Sequence, residues 1–185
     1  TILAIETSCD DTGIAIIKTQ PKTGHFEVLS NVVSSQTQIH AQYGGVFPSM
    51  AKREHQRNLL PVLIKALEES KLLKVSSSKQ IKNSKFQTLK KILEREGSLY
   101  QQLENFLKKY ETANIDLIAV TNGPGLEPCL WAGVNLAKAL AFAWKKPIVT
   151  INHIQAHILA NFIEGDVSKI KFPAIGLVVS GGHTQ

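Results

Sequence analysis

The chain has 185 residues, 43% of them hydrophobic, with mean hydropathy near zero and a formal charge of +6. That length suits one domain with a real core and not two full ones. No apolar run approaches a membrane span, and two cysteines do not make a disulfide scaffold. The charge is local: Lys71–Lys109 holds ten Lys/Arg against three Asp/Glu, while the remainder holds eleven against twelve. The expectation is a soluble, cytoplasmic protein with no signal peptide and no membrane contact.

Thr1–Glu6 is a short apolar run, read as a buried strand. It ends in Glu6-Thr-Ser-Cys-Asp-Asp-Thr-Gly13, a cluster of turn formers and carboxylates, after which Ile14–Ile17 begins a second strand. A third strand over Phe26–Val33 completes an antiparallel meander. The glycine turn Gln42–Pro48 feeds a helix from about Ser49 to Leu73. Met50, Leu59, Leu60, Leu63, Ala66 and Leu67 form its apolar face, and Pro61 should kink it.

The basic segment, about 74–111, repeats Phe86, Leu89, Ile92, Leu93, Leu103, Phe106 and Leu107 at helical spacing, broken at Gly97. It reads as a tail-like inserted helical hairpin with no recognisable chemistry. Beyond it come a strand at Ile115–Thr121, the loop Asn122-Gly-Pro-Gly-Leu-Glu-Pro128, a helix at Cys129–Trp144 and a strand at Pro147–Ile151. A helix bearing His153 and His157 follows, and the apolar run Pro173–Val179 reads as a buried strand leading into Ser180-Gly-Gly-His-Thr-Gln185. This order predicts an α/β fold, a mixed sheet with flanking helices, in the arrangement of a ribonuclease-H-like half of an actin-type protein.

Four stretches carry candidate chemistry. Histidines at i and i+4 share a helix face, either as a plain polar pair or as two ligands of one divalent metal, which would need a third, typically a carboxylate. Ile154 stands where the H-E-x-x-H metalloprotease signature has its glutamate, so hydrolysis by that device is unsupported. The acids of Glu6–Asp11 lie at a strand end, where carboxylates reach a crevice or bond the local backbone. Gly123-Pro124-Gly125 before a helix is an anion cradle or a structural turn, and Ser180-Gly181-Gly182 is a phosphate-type turn or a simple hairpin.

Taken in order, Ile5-Glu-Thr-Ser-Cys-Asp-Asp-Thr-Gly13, Tyr43-Gly-Gly-Val-Phe-Pro48 with Arg53-Glu-His55, Asn122-Gly-Pro-Gly-Leu126 with Leu140-Ala-Phe-Ala-Trp144, and His153-x-x-x-His157 with Val179-Ser-Gly-Gly-His-Thr-Gln185 resemble the TsaD family. These are tRNA adenosine threonylcarbamoyltransferases, formerly misnamed O-sialoglycoprotein endopeptidases. The resemblance implies an actin-like (ASKHA) lobe at 1–172 with the basic insertion at about 74–111. Residues 173–185 would be the first strand and phosphate-type turn of a second lobe that is missing here.

It further implies transfer of a threonylcarbamoyl group from threonylcarbamoyl-AMP to the exocyclic amine of the adenosine 3′ of the anticodon. His153 and His157 would hold one divalent metal, iron or zinc, with the third ligand outside this chain. Asp11, where many members have Glu, would be the catalytic acid, and Val178, Val179, Ser180, Gly181 and Gly182 would contact the adenylate. Implied partners are tRNA, a TsaB-like subunit packing on the first lobe's helices, a TsaE-like ATPase and a separate synthase. Half an enzyme would have little activity alone. The competing reading is a non-catalytic TsaB-like scaffold, which has no need of the histidine pair.

Overall fold

The computed structural model describes residues 1–20, 25–76, 83–161, 173, 175–180 and 183–184. Its centre is a five-stranded sheet built from β1 (Ile2–Glu6), β2 (Asp11–Gln20), β3 (His25–Ser35), β4 (Leu117–Gly123) and β5 (Ile148–Asn152), in the order β3-β2-β1-β4-β5. β1, β2 and β3 run antiparallel through short connections, whereas β4 and β5 lie parallel to β1. Antiparallel strands close through tight turns; parallel ones need a crossover, and helices supply it here. The parallel strands therefore end on one edge of the sheet, and that edge carries the site.

The period-2 pattern decides which face is buried. Leu3, Ile5, Ile14, Ile16 and Val32 belong to the core and alternate with residues that keep part of their surface, while on β4 Ile118, Ala119 and Val120 are all buried. Two helices cover that face: α2 (Pro48–Glu69) over β2 and β3, and α5 (Glu127–Trp144) over β4. A short helix not foreseen from the sequence, α1 (Thr37–Ala41), bridges β3 and α2.

α2 starts with Pro48 in its first turn, where the missing N–H costs nothing. It continues through Pro61, whose ring is on the exposed side, and stops at Glu69 rather than Leu73. The reason is local: Lys71 takes a left-handed backbone (φ 59°), and the Leu72 and Leu73 amides turn back to the Leu67 carbonyl.

The basic segment departs from a tail-like appendage. α3 (Asn83–Ile92) packs on α5 and α4 (Gly97–Lys109) on α2, as a third layer. Leu89, Leu93, Leu99, Leu103, Phe106 and Leu107 belong to the one hydrophobic core. The lysines other than Lys85, which donates to the Ala143 carbonyl of α5, are the solvent side of this layer; the leucines made it structural all along. Between the two helices, the fully buried Glu96 accepts from Asn135 Nδ2 of α5 at 2.9 Å and lies 3.8 Å from Lys52 Nζ of α2. A buried carboxylate needs such company.

The apolar run after Pro173 is described in part. Among its described residues, strand structure is found at β6 (Val179–Ser180) and β7 (His183–Thr184), an antiparallel pair with Val179 opposite Thr184, and Ile175 is 101% exposed. A strand needs a ladder neighbour on which to bury itself, and among the described residues 175–178 has none.

If α4 is core, Leu103→Ala lowers unfolding free energy by about 2–5 kcal/mol in urea denaturation. A peripheral hairpin would answer with a change within about 0.5 kcal/mol.

Candidate functional site

The carboxyl ends of β1, β4 and β5 deliver Glu6, Thr121 and Asn152 to neighbouring positions, because Ile5 pairs with Val120 and Gly123 with Asn152. α6 (His153–Ala160) starts directly from β5: the Asn152 side chain accepts from the Gln155 amide at 3.0 Å and caps it. His153 is thus the first helical residue, and His157 stands one turn on. Their Nε2 atoms approach to 3.0 Å with ring centroids 4.4 Å apart. His157 is exposed and His153 partly covered.

The other side of the His153 ring faces the first turn. Ser8 Oγ lies 3.1 Å from Nδ1 and 3.4 Å from Nε2, and Glu6 Oε2 lies 3.4 Å from Nδ1. Burial by itself would push the Glu6 carboxyl up. Hydrogen bonds from Ser8 and Thr121, together with the His153 ring, outweigh it and hold Glu6 below the usual carboxylate range. Of the acids in this turn, the family resemblance implies Asp11 as the catalytic one. The acid that lies beside the His153 ring is Glu6. The signal available was parity: Glu6 is the last residue of a strand parallel to β4 and β5, so it ends on their edge.

Asp11 sits at the exposed start of β2, paired in register with Ser35. Its charge reaches Cys9 and His55: burial and the Asp10 and Asp11 carboxylates together raise the Cys9 thiol to about 11. Cys9 and Cys129 are both free thiols, and burial raises Cys129 to about 11 as well. Neither is poised as a nucleophile at neutral pH.

The turn is clamped from three sides. From α2, the fully buried His55 donates Nε2–H to the Cys9 carbonyl at 3.0 Å, while its Nδ1 lies 2.8 Å from the Thr12 hydroxyl. From the β4–α5 loop, the Leu126 amide donates to the Ser8 carbonyl at 2.7 Å. From α5 itself, the Cys129 carbonyl accepts from Thr7 Oγ1 at 2.9 Å. Between the structural and anion-binding readings of Gly123-Pro124-Gly125, this contact favours the first. A Cβ on Gly125 would fall 2.6 Å from the Ser8 carbonyl oxygen, and one on Gly133 would strike the Thr7 side chain.

Of the expected adenylate contacts, Val178 is half-buried just before β6, and Val179 and Ser180 form β6. Gly176, two residues earlier, lies against Ile158 of α6, which brings this segment near the histidine helix. Gly181 and Gly182 lie outside the described residues.

The donor set fits a metal in part. Two imidazole nitrogens bound at about 2.0–2.1 Å to one ion stand about 2.9–3.4 Å apart, which brackets the observed separation. Among the described residues no group of three or more His, Cys, Asp or Glu is arranged to enclose an ion. Nor, among them, is any helix long and apolar enough to cross a membrane.

An actin-type, ribonuclease-H-like lobe with a histidine pair on the carboxyl edge of its parallel strands is the class that this architecture defines. In fold the chain is similar to YeaZ from Pseudomonas aeruginosa, with a TM-score of 0.50 at 16% identity over 89% of this chain and 50% of that one. Residues 27–78 and 98–185 match the family TsaD: tRNA N6-adenosine threonylcarbamoyltransferase, and the chain belongs to that family. Residues 1–26 and 79–97 lie outside the match, and the second of these stretches contains α3 and Glu96.

Curated relatives bearing the name tRNA N6-adenosine threonylcarbamoyltransferase include those of Sulfurihydrogenibium sp. at 42% identity, Persephonella marina at 40% and Thermomicrobium roseum at 37%, each aligned to 100% of this chain. The chain spans only 40–41% of the length of these relatives.

Two outcomes test the clamp. Gly125→Ala lowers thermal stability by an equivalent of about 1–3 kcal/mol, since backbone rather than a flexible side chain opposes the added carbon. His55, held neutral by burial, titrates below its ordinary value of 6.5 despite the Cys9 carbonyl and nearby acids. The unfolded chain therefore takes up the proton first: stability is full above about pH 6.5 and falls as pH drops below it. In His55→Gln the urea midpoint is lower at neutral pH and less steeply pH-dependent in that window; identical slopes would discard the assignment.

Proposed function

We propose that this chain is the first lobe of a tRNA-modifying acyltransferase. It would move the threonylcarbamoyl group of threonylcarbamoyl-AMP onto the exocyclic amine of the adenosine 3′ of the anticodon. The observation that carries this reading is the convergence of the His153 and His157 Nε2 atoms at the sheet edge. Family membership and the relatives' names support it, since a scaffold without chemistry has no use for such a pair. The amine nitrogen forms the new bond to the carbamoyl carbon, the acyl–phosphate oxygen bond breaks, and AMP leaves with the electron pair. The amine proton goes to base.

Residues of this chain take distinct parts. His153 and His157 would hold a divalent metal, iron or zinc, through Nε2, with the third ligand supplied from outside these residues. When bound, such an ion acts as a Lewis acid on the carbamoyl carbonyl. Asp11, exposed at the rim of the first turn, is the acid assigned to the reaction. Val178, Val179, Ser180, Gly181 and Gly182 form the adenylate-facing backbone, where amides without bulky side chains approach phosphate closely. Substrate tRNA and TsaB-like and TsaE-like subunits complete the system, in a cytoplasmic setting.

The test joins residues 1–185 to the C-terminal portion of the Persephonella marina relative and assays transfer to unmodified tRNA with the partner proteins. Metal is measured by elemental analysis in parallel. About one metal per chain, lost with at least about 100-fold of the rate in His153→Ala/His157→Ala, is the expected result. Undiminished transfer by a metal-free double variant would refute the reading.

A further inference from the structure

A histidine pair can hold an ion only if both rings present a lone pair to the same point, and an imidazole has two nitrogens to choose from. The nearest atoms to the far side of His153 are not neutral in this choice. The Glu6 carboxylate, 3.4 Å from Nδ1, can only accept when ionised. Ser8 Oγ, 3.1 Å from Nδ1, can accept from the ring while its own proton goes to Glu6. A lone pair on Nδ1 would face the carboxylate's own; an N–H there satisfies it. The Glu6 carboxylate is in turn fixed by the Ser8 backbone amide and by Thr121 on β4.

We propose that Glu6, acting with Ser8, is the positioning residue of this site. It holds His153 as its Nδ1–H tautomer, so that the Nε2 lone pair points at the place where His157 Nε2 also points. The inference rests on the metal-pair reading above and extends it to a carboxylate that would not itself touch the ion, because Glu6 contacts Nδ1 whereas the paired nitrogens are both Nε2. Carboxylate–histidine–metal relays of this kind set ring orientation and basicity. Here the carboxylate belongs to the last residue of β1 and the histidine to the first residue of α6, so the sheet's parallel register is what joins them.

The test uses the 185-residue chain labelled with ¹⁵N-histidine at about pH 8, where imidazoles are neutral. Long-range ¹H–¹⁵N correlation reads the His153 tautomer, and titration with Co²⁺ and Zn²⁺ reads affinity. Wild type shows Nδ1–H. Glu6→Ala shows a mixture of tautomers and about 10–100-fold weaker metal binding. Glu6→Gln, whose amide oxygen still accepts, falls between them and serves as the conservative variant if Glu6→Ala does not fold.

A wild-type Nε2–H tautomer would overturn the proposal. So would a folded Glu6→Ala that keeps both the wild-type tautomer and an affinity within about twofold. If wild type binds neither metal, the metal reading under Proposed function fails. The tautomer comparison still decides the role of Glu6, so the two failures are told apart.

Discussion

The donation from the Leu126 amide to the Ser8 carbonyl is the contact on which the site geometry depends. It brings the β4–α5 loop against the first turn so closely that position 125 has room for no side chain. With the turn pressed down at Ser8, Glu6 is left facing the start of α6, and Thr7 can reach the Cys129 carbonyl on α5. His55 closes the third side from α2. Each clamp is a hydrogen bond of ordinary strength, about 0.5–1.5 kcal/mol net. Their weight comes from the alternative, since a buried carbonyl or imidazole left without its partner costs about 1–3 kcal/mol. The polar cluster is thus stable only as a whole.

Much of this was legible in the residues, for identifiable reasons. The runs at Ile2–Ile5, Ile14–Ile17 and Ile118–Val120 are continuously apolar and bounded by turn formers, so the strands and the mixed sheet follow from pattern. The His153/His157 pair was visible because helical spacing is a local property. What was not legible depended on distant contacts. Glu6, Asp10 and Asp11 look alike in a string of turn formers; only the parallel register of β1 with β4 and β5 tells them apart. The length of α2 turned on one left-handed lysine, a residue type with no preference for that backbone. Of the expected strand at 173–179, only Val179 is in a ladder among the described residues, since apolar composition does not provide a neighbour. His55 read as part of a motif, but its role as a neutral bridge between Thr12 and Cys9 appears only once β2 and α2 are packed together.

The third layer shows how composition misleads when it is averaged. Ten basic residues in Lys71–Lys109 suggested a solvated appendage, yet α3 and α4 place their leucines in the core and their lysines, Lys85 apart, outside. Glu96, in a stretch unmatched by the family, is the more informative residue. It sits fully buried between Lys52 and Asn135, so the addition is tied to α2 and α5 by a polar contact as well as by packing. A layer anchored in that way shares the unfolding transition of the lobe rather than melting apart from it.

The placement of β5 has one more consequence. It is the last strand of the sheet among the described residues, where one side of its backbone has no ladder, and its apolar Ile148 and Val149 are 40% and 38% exposed. Such an edge invites a second molecule to add a strand of its own. The three residues before it are Lys145, Lys146 and Pro147: two charges that repel a like copy and a ring with no N–H to donate. They act as gatekeepers, and the strand that carries the histidine helix is kept from zipping to its own kind.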